Sequence, residues 1–228
     1  MFIKLNIIIY NNNIQIMRKM SLETDLKICI VKKAVNNYVD KIINDGVTIT
    51  EPGSLKYLLW GPRPSQQSSC IKMGKVGEDM FKSMIKISPN IELIKCGVQI
   101  IDKGNKRKDI DLAWKDNNKK IIYIRECKGN IELDTEKLPA TFEKVKQDIV
   151  PFLETKYPDY KIDCGILNWS VYSRKILRKT LTHIKSCEDN GVKVEHVEDF
   201  LKNIDFEWSE EGYYSYFRTI GEKINKMF

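Results

Sequence analysis

Four charged residues, Asp109, Asp111, Glu126 and Lys128, fall at the ends of two segments whose other residues belong in a sheet interior. The first runs Lys108-Asp109-Ile110-Asp111-Leu112-Ala113-Trp114, the second Ile121-Ile122-Tyr123-Ile124-Arg125-Glu126-Cys127-Lys128. Side chains along a strand alternate between faces. Ile122, Ile124, Glu126 and Lys128 therefore share one face, Tyr123, Arg125 and Cys127 the other, and Asp109, Asp111 and Ala113 share a face of the neighbouring segment. Pairing the two segments brings Asp111 beside Glu126, with the Lys128 ammonium at the same strand edge.

Burying such a cluster costs several kcal/mol per ion, and a divalent cation is the usual way to offset the repulsion of two carboxylates. A small set of hard oxygen donors fits Mg²⁺, which keeps several waters and is shared with substrate phosphate oxygens. Phosphodiester cleavage is the chemistry implied. The plainer alternative at this spacing is a strand-end salt bridge between Glu126 and Lys128, with the aspartates in a turn.

In combination these pieces resemble the PD-(D/E)XK nuclease superfamily, and within it the type II restriction endonucleases. Gly74-Lys75-Val76-Gly77-Glu78-Asp79-Met80-Phe81 matches the first core helix with its acidic residue, Glu78; Asp111 matches the motif aspartate, and Glu126-Cys127-Lys128 the E-x-K element. The continuation Gly129-Asn130-Ile131-Glu132-Leu133-Asp134-Thr135-Glu136-Lys137 is similar to the segment that follows E-x-K in some restriction enzymes. The resemblance spans about residues 74 to 200 in order, and departs from the family name where Lys108, not Pro, precedes Asp109. Asp111 is preferred over Asp109 as the metal aspartate because Ile110 and Leu112 flank it.

The resemblance implies a three-layer, restriction-endonuclease-like α/β core: a central mixed sheet flanked by helices, with an N-terminal helical addition. It implies Mg²⁺-dependent, site-specific hydrolysis of double-stranded DNA to 5′-phosphate and 3′-hydroxyl ends. A homodimer is expected if the target is palindromic, with a cognate DNA methyltransferase acting on the same site. Asp111, Glu126 and the backbone carbonyl of Cys127 would hold the metal. Lys128 would orient the attacking water and stabilise charge on the phosphorus oxygens. Glu78 would bind a second metal or order the ligands of the first. The same core serves repair nucleases and Holliday-junction resolvases, and a non-catalytic DNA-binding module can inherit it.

The elements that position these residues follow from periodicity. A helix over 21–45 carries Leu26, Ile30, Ala34, Tyr38 and Ile42 as a core-facing stripe, after a peripheral first segment. Turn chemistry dominates 48–75, with Pro52, Gly53, Gly61, Pro62 and Pro64. That loop offers Arg63, Gln66 and Gln67 as DNA-binding residues able to read base edges. Val76, Met80, Met84 and Ile87 argue for a helix over 76–88. Strands are expected over 94–101, 109–115 and 119–127, the last two joined by an Asp116-Asn117-Asn118 turn. Phe142, Val145, Ile149 and Leu153 form the stripe of a helix over 135–157, which Pro151 kinks or ends early. A strand over 164–172, a basic helix over 173–190, a short strand over 192–196 and a helix over 197–203 complete the core. Three regions result: 1–73 as N-terminal extension, helix and recognition or linker loop, 74–205 as nuclease core, and 206–228 as an aromatic-rich segment packed on the core and ending in a helix over 218–226.

Composition agrees with an intracellular nucleic-acid enzyme. Lys plus Arg number 38 against 31 Asp plus Glu, a net charge of +7 that suits an anionic partner. Lys106 and Arg107, in the basic run 103–108, and Asn130 join the DNA-binding candidates. Six cysteines are scattered without a C-x-x-C pair, as expected of reduced thiols in the cytoplasm. His183 and Cys187 stand one helical turn apart but lack the further ligands of a zinc site. The apolar burst Phe2 to Tyr10 is too short to span a bilayer.

Overall fold

Asp116 sets the central hairpin. In a computed structural model that describes residues 2–44, 51–53, 55–60, 66–101, 106–129, 138–177 and 182–226, its Oδ1 accepts hydrogen bonds from the N–H groups of Asn118 and Lys119 at 3.0 and 2.9 Å. The chain reverses over 117–120 and joins β4 (Leu112–Asp116) to β5 (Ile121–Lys128), which pair antiparallel with Leu112 opposite Arg125. Strand β1 (Ile91–Leu93) extends the sheet antiparallel to β4; β6 (Lys161–Asn168) and β7 (Lys193–His196) extend it parallel to β5. The order is β1-β4-β5-β6-β7, a mixed sheet. A two-stranded ribbon, β2 (Gly97–Ile100) and β3 (Arg107–Ile110), stands beside it.

Parallel neighbours require crossover connections that cover the sheet. From β5 to β6 the chain passes through α4 (Leu138–Glu143), a π-helical segment (Lys144–Ile149) and α5 (Val150–Lys156); from β6 to β7 it passes through α6 (Thr182–Asp189). Their apolar residues close one face, Ile149 and Leu153 against Ile122 and Ile124, Ile184 and Cys187 beside Ile166 and Val194. The opposite face is closed by α1 (Phe2–Asn44), α3 (Gln66–Ile87), α7 (Val197–Asn203) and α8 (Glu210–Asn225), whose Val35, Met80, Phe81, Phe200 and Tyr213 share a core with Trp114 and Tyr123. The protein is thus α/β, a five-stranded mixed sheet between helical layers. Among the described residues no helix is long and apolar enough to cross a membrane, and the six cysteines are free thiols.

Several elements differ from the expectations. The first helix begins at Phe2, running through Asn11, Asn12 and Asn13. Its core stripe is Val31, Val35, Val39 and Ile42, whereas Leu26 and Ile30 are 61% and 45% exposed. The stripe through Leu26 and Ile30 is one position out of phase, a rotation of about 100° that turns most of its residues toward solvent. The expected loop over 48–75 contains α2 (Leu55–Trp60) and the first turns of α3, which starts at Gln66, ten residues ahead of the expected 76. The segment 109–115 is not one strand. It bends at Asp111, so β3 joins the ribbon and β4 the main sheet. The helix over 135–157 breaks into α, π and α parts, with Pro151 at the second position of α5, directly after the π-helical segment. The basic helix over 173–190 divides into a 3₁₀ turn (Arg174–Ile176) and α6. The C-terminal helix takes in Tyr213, Tyr214, Tyr216 and Phe217, because Ser209 caps it by accepting from the Gly212 N–H. Trp208, Tyr213 and Tyr216 are buried core residues.

One ion pair lies wholly inside. Arg125, on β5, donates to Glu195 on β7 through Nε at 2.7 Å and Nη2 at 2.6 Å, and both side chains are 0% exposed. Its Nη2 also meets Asp163 at 2.7 Å. Gly165 on β6 stands opposite Arg125 in the register, and a Cβ there would come within 2.7 Å of the Lys193 carbonyl oxygen on β7.

Candidate active site

The bend at Asp111 ends β3 and begins β4, placing its side chain one residue before the Leu112–Arg125 pair and hence level with Glu126. Asp111 Oδ2 accepts the Cys127 backbone N–H at 2.9 Å. Glu126 enters from the last turn of the pleat in β5, on the side that Ile122 and Ile124 occupy deeper in the sheet. The carboxylates of Asp111 and Glu126 are only 13% and 10% exposed. Burial, and next the negative charge of Glu126, push the Asp111 carboxyl up to about 7, against the opposing pull of Lys144 and the Cys127 N–H.

Two ammonium groups meet this pair. Lys128 Nζ lies 3.5 Å from Glu126 Oε1 on its own strand. Lys144, the first residue of the π-helical segment, places Nζ 2.5 Å from Glu126 Oε2 and 3.7 Å from Asp111 Oδ1. Burial lowers the Lys144 pKa, but Glu126 and Asp111 outweigh it and hold the ammonium above the ordinary lysine value. Asp111, Glu126 and Lys128 therefore converge, and a lysine absent from the sequence-based candidates bridges both carboxylates.

Glu78 lies on α3, where its carboxylate is taken by Lys75 at 2.6 Å and Lys82 at 3.1 Å. It adds to the upward push on Asp111 as the weakest contribution, so it bears on the site through its field. Helix α3 is fixed against β5 by Trp169, whose backbone N–H donates to the Lys128 carbonyl at 3.0 Å. A Cβ on Gly77 would stand 2.7 Å from the Trp169 ring and one on Gly129 3.1 Å from it. The indole is thus wedged between the residues next to Glu78 and Lys128.

The DNA-binding candidates separate. Lys106 pairs with Asp148 of the π-helical segment at 2.5 Å, and Arg107 is exposed on β3. Gln66 and Gln67 open α3, but their side chains, like Arg63 and Asn130 as a whole, lie outside the described residues.

Among the described residues no three His, Cys, Asp or Glu side chains form a metal-holding group. Asp111 and Glu126 make two. A metal here relies on main-chain, water or substrate oxygens for the rest, which is how Mg²⁺ is commonly held. The donor set fits such an ion: the Lys144 ammonium already stands as a cation between the two carboxylates.

Neither Lys144 nor Trp169 was among the sequence candidates. Lys144 precedes Val145 in the Phe142, Val145, Ile149, Leu153 stripe, and a lysine flanking such a stripe is ordinarily solvated. The available signal was topological: a crossover helix following E-x-K must pass over the C-terminal end of that strand. Compared with protein-family models, curated proteins and solved structures, the chain finds no match.

Proposed function

We propose that this protein is a Mg²⁺-dependent endodeoxyribonuclease of the PD-(D/E)XK type, cutting double-stranded DNA at specific sites as type II restriction endonucleases do. One observation carries the proposal: two buried carboxylates, Asp111 and Glu126, converge at the end of β5 with Lys128 on the same strand and a cation already between them. The mixed sheet between helical layers and the net charge of +7 are compatible with it.

Asp111 and Glu126 are the metal-holding residues, with the Cys127 carbonyl as a main-chain donor. When bound, Mg²⁺ supplies Lewis acidity and lowers the pKa of a coordinated water. Lys128 presents its compact ammonium to the attacking water and to the phosphorus oxygens, where negative charge grows. Glu78, held by Lys75 and Lys82, adds negative field beside the carboxylate pair. The partner is double-stranded DNA. Recognition of a palindromic target calls for a homodimer, and protection of host DNA calls for a methyltransferase of the same specificity.

The test is incubation of the purified protein with long duplex DNA of known sequence in Mg²⁺, in Ca²⁺ or in chelator. Discrete fragments in Mg²⁺ alone are expected, carrying 5′-phosphates. A smear would replace site specificity with general or repair cleavage. DNA left intact in every condition, branched substrates included, would overturn the nuclease assignment.

A further inference from the structure

Lys144 comes to the site from an unusual place. The six residues Lys144–Ile149 form a π-helix between two short α-helices, a wide turn that is rare and recurs at functional sites. The backbone beneath Lys144 is anchored: Val145 and Ile149 are buried against the sheet, and Asp148 is clamped by Lys106 at 2.5 Å and Lys108 at 2.7 Å. The lysine stem extends from this fixed base on four flexible carbons. Its ammonium ends between the two carboxylates that the proposed function assigns to metal.

We propose that Lys144 is the resident counter-cation of this centre, occupying the divalent-ion position and yielding it when the metal binds. This rests on the metal-centre assignment above and extends it to a residue that sets metal affinity. Asp111 and Glu126 are too enclosed to stand side by side without a cation. At 2.5 and 3.7 Å the Lys144 ammonium satisfies both, and it fills the space between them. An ammonium and a divalent ion cannot share that space. Metal entry therefore requires the lysine to swing out, and the free energy of its ion pairs is subtracted from that of metal binding. Lys144 is a positioning residue in this scheme; Lys128, two residues beyond Glu126 on the same strand, keeps its place during the exchange.

The test is Mn²⁺ binding to the full chain without DNA, read as loss of the free-ion paramagnetic resonance signal, for the natural protein and for Lys144→Gln, Lys144→Arg and Asp111→Asn. Mn²⁺ should bind Lys144→Gln at least 10-fold more tightly than the natural protein. Lys144→Arg, whose planar fork grips carboxylates more firmly, should bind it more weakly. A lysine with a purely structural part would not give opposite changes in the two variants. Equal or weaker binding to Lys144→Gln, with binding still dependent on Asp111, would overturn the exchange and leave the metal centre standing. If binding is absent, or indifferent to Asp111→Asn, the metal centre falls and the exchange with it. Should Lys144→Gln fail to fold by circular dichroism, the Arg variant decides: unchanged affinity overturns the proposal.

Discussion

Asp111→Asn removes a charge that the fold disfavours, and its effect on the metal-free protein is calculable. In the unfolded chain the carboxyl loses its proton near 3.8, in the folded chain near 7. Between those values the folded state holds the extra proton. Stability therefore falls as pH rises through this window and stays lower above it. The interval is about 3 pH units, which at about 1.4 kcal/mol each sets a ceiling of about 4 kcal/mol. Partial solvent access and adjustment of Lys144 reduce this to about 2–3 kcal/mol. Asn keeps an oxygen for the Cys127 N–H, and Lys144 keeps Glu126 at 2.5 Å. The variant should match the natural protein near pH 4 and exceed it at pH 8 by about 5–10 °C in Tm, at about 2–4 °C per kcal/mol for a chain of this size. Thermal melts in chelator from pH 4 to 8.5 measure the gap. A constant gap across that range, or an Asp111→Asn protein less stable at pH 8, would refute the buried, mutually repelling carboxylate pair.

Two further outcomes are expected. Lys128→Ala should lose at least about 100-fold in DNA cleavage, the scale for removing one donor to developing charge, while duplex binding in Ca²⁺ persists by mobility shift; full cleavage would remove Lys128 from its assigned role. Gly77→Ala should destabilise the fold by about 1–3 kcal/mol through overpacking against Trp169, measured by urea unfolding. Gly74→Ala, on the same helix with nothing within 4 Å of its added Cβ, is the control and should be neutral or stabilising; equal responses at both positions would rule out the Trp169 wedge.

The hairpin from Leu112 to Lys128 was legible because two signals coincide in it: strand-like apolar runs, and the Asp116-Asn117-Asn118 turn that separates them. The helix over 197–203 and the strand before it were legible for the same kind of reason, with apolar positions at the right period and a sharp switch between periods. The first helix was recognised, but its buried face was misphased, since Leu26 and Ile30 and the valines at 31, 35 and 39 are equally apolar in sequence. Only packing against α3 and α8 chooses between them. The candidate site was legible where its residues are close in sequence, as Glu126 and Lys128 are. Asp111 was identified through its flanking isoleucine and leucine, although the bend that aims it was not foreseen. Lys144 was missed because a lysine beside a helical stripe is ordinarily a solvated residue, and its approach to Glu126 depends on a π turn that periodicity read as plain helix.

The Arg125–Glu195 pair has a consequence for how the parallel half of the sheet assembles. The two residues sit on strands that never touch, with the Gly165 position of β6 between them, so the ion pair forms only when β5, β6 and β7 are all docked. A one-residue slip of β7 would turn Glu195 to the opposite face. Arg125 would then keep Asp163 but lose the buried carboxylate that it grips with two hydrogen bonds, at a cost of about 3 kcal/mol, the low end for breaking a buried pair. That penalty exceeds what a few misplaced backbone hydrogen bonds return. The buried arginine thus proofreads strand alignment: mis-threaded sheets are rejected, and the end of β5 that carries Glu126 and Lys128 is delivered to one depth and one face each time the chain folds.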